Sequence, residues 1–191
     1  MKPAIGRPRD PRIDTAVLRK TAALVRKQGY ADVTIAAIAA AAGTTKPAIY
    51  RRWPSKAHLV HEAVFPEGEL FTLPDTGSLA GDLREMLRRT RAAFTAPAAR
   101  AALPGLVGEV VADPTLHGAL LERFGGVFAD LTTRLDDARE RGEIRTKVDS
   151  SAVVELLTGA VLSTLLIRSV DAMDESWVEQ TADLITRGLS G

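Results

Sequence analysis

Cysteine is absent from all 191 residues. That excludes disulfides, zinc–thiolate sites and thiol catalysis, and makes a reducing cytoplasm the expected setting. Aromatic residues are scarce at 5%, while alanine and leucine dominate the apolar set, so helices are expected rather than sheets. No alternation of polar and apolar residues long enough for a strand is found, and no internal repeat. Long hydrophobic runs are missing too. The longest, Ala152 to Ile167, contains Glu155 and is shorter than the ~20 residues of a bilayer span. The basic N-terminus has no apolar run behind it, so no signal peptide is expected. The sequence reads as a soluble chain with no membrane partner. At 46% hydrophobic residues it can build a core.

Catalytic patterns are also lacking. His58 and His61 lie three apart and precede Glu62, but no third ligand stands at a recognised spacing and the zinc-protease order is absent. Both are expected on a helix surface, and His117 at a solvated helix start. Neither a phosphate-cradling glycine loop nor a nucleophile elbow is present. No enzyme, metal or cofactor is expected.

What is present is an uneven charge. Residues 1–60 hold twelve Lys and Arg against the acids Asp10, Asp14 and Asp32, a net +9; the remainder carries −8. A polyanion-binding head on a body that does not bind polyanions follows from that division. Residues 1–11, with Pro3, Pro8 and Pro11, read as a mobile basic arm. Arg7 and Arg9 suit either a narrow minor groove or a generally attractive tail.

Helical spacing of Ile13, Val17, Leu24 and Val25 predicts a first helix over about residues 12–28, ended by Gly29. Thr34 offers an N-cap to the short helix IAAIAAAA, which Gly43 breaks. Thr45 caps a third helix with Pro47 in its first turn, where a missing N–H costs nothing. Pro54 closes it, and Ser55 caps a fourth helix running to about Phe65. Ala39 permits close helix approach, and Ile38 and Ile49 supply an apolar contact. This is a helix-turn-helix, whose second helix enters the major groove. Lys46 and Arg51 are too basic for a core, Tyr50 offers ring and hydroxyl, and Lys56 is placed to meet phosphate from outside.

The run TIAAIAAAAGTTKPAIYRRWPSKAHLV, with Gly29-Tyr30 and Val33-Thr34 before it, resembles the N-terminal signature of TetR-type transcriptional regulators. So does the spacing of Tyr50, Trp53, Lys56 and Leu59. The resemblance covers about residues 12–60. It implies base or groove contacts from Thr45, Lys46, Pro47 and Ala48, and phosphate contacts from Thr34, Tyr50, Arg52 and Lys56, on a double-stranded DNA operator. Trp53 corresponds to a core aromatic. Family members often carry histidine where Arg52 stands and a small flexible residue where Pro47 stands. Arginine keeps phosphate binding at every pH, and proline offers bases only apolar contact, so sequence preference cannot be carried over from a relative.

The expected architecture is all-α. A helix-turn-helix head at 12–60 precedes a helical ligand-binding and dimerisation body at 61–191. A linker-like stretch, Pro66 to Ser78, precedes helices at about 79–95, 98–111, 115–141, 151–170 and 175–189, with Pro104-Gly105 able to kink or split the second. The apolar residues of 152–167 occupy nearly every side, so that helix is expected to be buried all round. Gly159, Ala160, Ser163 and Thr164 give it a small-residue face. Trp177, Thr181, Leu184 and Ile185 follow helical spacing in the last helix, and pairing both helices across a two-fold axis forms a four-helix bundle. The resemblance implies such a homodimer, and an effector held in the body. Met86, Phe94, Leu106, Val110, Phe124, Phe128 and Leu157 are candidate lining residues, each equally suited to plain core packing. The acidic body suits a small lipophilic ligand, neutral or cationic. The function implied is a repressor released from DNA by that ligand, the rival being a ligand-independent DNA-binding or adapter protein.

Overall fold

Hydroxyls and carboxylates at helix starts, and prolines in first turns, set the element boundaries in the computed structural model, which describes residues 11–145 and 147–190. Among these residues nine α-helices and no strand are found: α1 Pro11–Asp32, α2 Ile35–Ala42, α3 Lys46–Tyr50, α4 Lys56–Val64, α5 Leu79–Thr95, α6 Pro97–Ala112, α7 Pro114–Glu140, α8 Ser150–Ile167 and α9 Glu175–Ser190. Thr34, Thr45, Ser55, Ser78, Asp113 and Asp149 each accept a backbone N–H at a helix start. Each such cap is worth about 1 kcal/mol.

Two apolar clusters hold the chain together. One joins α1–α4 to α6 and the start of α7 through Val17, Val25, Ile38, Ile49, Trp53, Leu59, Ala102, Leu106 and Leu116. The other joins α5, the second half of α7, α8 and α9 through Leu83, Leu87, Leu131, Leu135, Val153, Leu157 and Val178. The head therefore sits on α6 rather than on a linker. The boundary expected at residue 60 falls inside α4, whose Val60 and Val64 are both buried in the head cluster.

Gly29 breaks helical geometry where the first helix is expected to end. Its φ of 80° and ψ of 171° lie in a region essentially confined to glycine, and helix resumes to Asp32. The helix expected to reach Val170 stops at Ile167, because Arg168 leaves helical geometry and a 3-10 turn, Val170–Ala172, follows. Within the linker, a 3-10 turn spans Glu69–Phe71, and Thr76 is tied by its N–H and hydroxyl to buried Asp82 at 2.8 and 2.9 Å. Arg134 reaches the same carboxylate at 2.7 Å. Pro104 does not split α6, which is continuous from Pro97 to Ala112.

Candidate nucleic-acid interface

Gly43 turns the chain left-handed (φ 66°) after α2. Its N–H donates to the Ala40 carbonyl at 3.3 Å and that of Thr44 to the Ala39 carbonyl at 2.9 Å, which satisfies the end of α2. Thr45 Oγ1 then accepts the Ala48 N–H at 3.3 Å and opens α3. Five residues make a helix too short to stand alone, so its stability comes from what it is fastened to. Ile49 is its buried anchor, in the same cluster as Ile38 and Ala39. Trp53 is 3% exposed, and its indole N–H donates to Glu62 Oε2 at 2.8 Å. With one face fixed, α3 turns Lys46, Pro47 and Tyr50 outward, followed by exposed Arg51. Among the described residues no hydrogen bond or ion pair restrains the side chains of Lys46, Tyr50 or Arg51. Thr34 and Thr45 are exposed and Ala48 half-buried.

The remaining expected contacts are held by the protein itself. Arg52 Nη1 lies 2.9 Å from Asp14 Oδ2 on α1, and its guanidinium sits beside the Trp53 ring. Lys56 Nζ donates to the Tyr30 carbonyl at 3.0 Å and lies 4.1 Å from the Tyr30 ring centroid. Arg52 therefore ties the segment after α3 to α1, and Lys56 ties the start of α4 to α1. Sequence spacing carries no signal for either partner, which lie 38 and 26 positions away in the chain. Arg7 and Arg9 fall outside the described residues.

Residues 17–63 match the tetR family of bacterial regulatory proteins, and residues 73–185 match the tetracyclin repressor-like C-terminal domain. The chain belongs to the TetR family. An HTH-type transcriptional regulator of Mycobacterium tuberculosis is 34% identical over 171 residues, which cover 87% of this chain and 82% of that one. The structure of the TetR family transcription regulator SCO0332 superposes with a TM-score of 0.69 at 30% identity, covering 94% of this chain and 99% of that one. NalD, the secondary repressor of the MexAB-OprM multidrug efflux pump in Pseudomonas aeruginosa, shares the fold at 21% identity, 94% and 97% coverage and a TM-score of 0.58. This TetR-family chain is accordingly a DNA-binding transcriptional regulator.

In this TetR-family body α8 is not buried all round. Val153, Leu157 and Val161 enter the core, while Leu166 and Ile167 are 85% and 80% exposed and Leu156 and Ser163 also face outward. An apolar helix keeps such a face open when its own chain lacks the atoms to cover it. Of the expected dimer residues, Gly159, Ala160, Thr164, Trp177, Thr181 and Ile185 are half-buried, and Ser163 and Leu184 exposed. α8 is long and apolar enough by length and composition to cross a membrane, yet its inward face is part of the core.

The expected effector residues are divided between the two clusters. Leu106 is buried in the head cluster, with Val110 packed against it; Leu157 is buried in the other, with Met86 packed against it. Phe94 touches both, Phe124 stacks on Phe71 at 4.7 Å, and Phe128 is half-buried. A half-open cavity of about 370 Å³ is lined by other residues, among them Val64, Phe65, Glu67, Leu70, Ala93 and Ala96.

His61 corrects the surface expectation. It is 8% exposed, its ring lies 5.2 Å from that of Phe65, and Nδ1 is 3.2 Å from Arg123 Nη1. Burial first, then the charges of Arg123 and His58, lower its pKa from 6.5 to about 4. The imidazole is therefore neutral at pH 7, and since a guanidinium only donates, Nδ1 is the acceptor.

Proposed function

We propose that this chain is a cytoplasmic, homodimeric repressor that reads an operator through α3 and is released from it by a small lipophilic effector. The observation that carries the DNA reading is the fastened five-residue helix whose outward side chains, Lys46, Pro47 and Tyr50, are unrestrained while its inward one is locked. Thr45, Lys46, Pro47 and Ala48 face the bases. Thr34, Tyr50, Arg51, Arg52 and Lys56 meet phosphates, the last two on leaving Asp14 and Tyr30, and Arg7 and Arg9 add attraction from the arm. One such helix makes few contacts. Two on a rigid dimer read half-sites about 34–36 Å apart or a multiple of that.

Support for the dimer comes from the open apolar face of α8 and from Leu184 of α9, which is 72% exposed. A second copy of that face covers both, and Val153, Leu157 and Val161 on the opposite side keep α8 in the core rather than in a bilayer. For the effector, the cavity at the junction of α4 and α5 is in the lower range of ligand sites, and its lining, mostly apolar apart from Glu67 and Arg89, suits a lipophilic compound. A flavonoid-responsive regulator of the same fold (22% identity, TM-score 0.62) makes flavonoids a sensible first screen.

Selection of bound duplexes from a random DNA pool supplies the operator. Gel-shift titration with lipophilic compounds then separates the two readings. Release by one of them supports the sensor. Unchanged affinity across saturating compounds leaves a ligand-independent DNA-binding protein.

A further inference from the structure

Arg123 stands on α7 in the body, yet it reaches α4 of the head. Nη2 donates to the Phe65 carbonyl at 2.7 Å, at the end of α4, where carbonyls lack helical partners and negative potential collects. Nη1 faces His61 Nδ1 one turn earlier at 3.2 Å. The guanidinium carbon lies 4.5 Å from the Phe71 ring centroid, and Phe71 in turn stacks on Phe124 of α7. Burial works against this charge, and no carboxylate forms an ion pair with it among the described residues. A cation kept for solubility does not take such a place.

α4 carries the effect onward. Glu62, next to His61, exerts its negative charge on Arg123 and accepts the indole N–H of Trp53 at 2.8 Å. Trp53 stands three residues after the end of α3, and its own N–H donates to the Ile49 carbonyl at 2.9 Å. Phe65 belongs both to this chain of contacts and to the cavity wall.

We propose that Arg123 is a positioning residue for DNA reading: it clamps the C-terminal end of α4 and, through Glu62 and Trp53, fixes the placement of α3. The inference rests on the repressor reading and names its regulation, since whatever displaces Phe65 in the cavity also loosens the clamp. Unclamped, α4 samples placements that do not fit DNA, and apparent affinity falls by the fraction lost.

The test compares the wild-type chain with Arg123→Met, Arg123→Lys and Phe71→Leu. Binding to a duplex selected by the wild-type protein is measured by anisotropy. The indole N–H resonances of Trp53 and Trp177 are followed without DNA, and folding is followed by circular dichroism. Arg123→Met is expected to stay helical, lose about 10-fold in affinity and shift the Trp53 resonance but not that of Trp177. Arg123→Lys, which keeps the charge, is expected to recover part of both. A folded Arg123→Met with wild-type affinity and an unmoved Trp53 resonance overturns the proposal. If Arg123→Met does not fold, Phe71→Leu decides by the same readings: a smaller change of both supports the clamp, and no change overturns it. Failure of the wild-type chain to bind any duplex sinks the DNA reading instead, and the DNA-free indole shift then decides the clamp alone.

Discussion

The Tyr30 ring packs against Gly105 of the body. A Cβ on Gly105 of α6 would lie 2.1 Å from the Tyr30 ring, so glycine is required there for close approach, even though it weakens a helix by about 1 kcal/mol. Gly105→Ala is expected to destabilise the chain by about 1–3 kcal/mol in denaturant melts, because the buried ring is fixed from the other side by Lys56. Tyr30→Phe serves as the contrast. The phenol oxygen is buried without a hydrogen-bond partner, and burial, then the nearby Glu109, raises its pKa; losing it leaves stability unchanged or slightly higher. His61 gives a pH dependence. Its folded pKa of about 4 is below its ordinary 6.5, so the unfolded chain binds the proton first. This contribution is intact above about 6.5 and falls by up to roughly 1.4 kcal/mol per unit as pH drops towards 4. Urea melts at stepped pH are expected to show that slope, and His61→Asn to flatten it. At this scale the helix caps were legible, because a hydroxyl before an apolar run acts locally. The partners of Arg52, Lys56 and His61 were not, because each is set by packing between distant helices.

α8 shows what periodicity can and cannot say about an element. Its apolar residues announce a helix needing cover on most sides, but pattern alone does not say whether the cover comes from the same chain. The structure divides the faces: Val153, Leu157 and Val161 inward, Leu156, Leu166 and Ile167 outward. Leu166→Glu is therefore expected to leave helicity and the core intact, because that side chain is almost free of its own chain, while light scattering reports monomer in place of dimer. A variant that remains dimeric assigns the subunit contact to another face. α3 is the opposite case. Its Thr45 and Pro47 signals placed its start correctly, since both act within one turn.

Across the whole molecule, the charge division and the helix pattern made the all-α head and body legible. The joint between them was not. α6 shares the head's core and Arg123 holds the end of α4, so the head is mechanically part of the body's first half, an arrangement that gives a ligand in the body a route to α3. The repressor proposal stands or falls on whether α3 reads duplex DNA. Its most direct test is an anisotropy titration of a selected operator with wild-type protein and with Tyr50→Ala and Lys46→Ala, all confirmed as dimers of equal helicity. At least a tenfold loss is expected in each variant, with a shallower salt dependence for Lys46→Ala if that ammonium sits on a phosphate instead of a base edge. Wild-type affinity in both variants would contradict it.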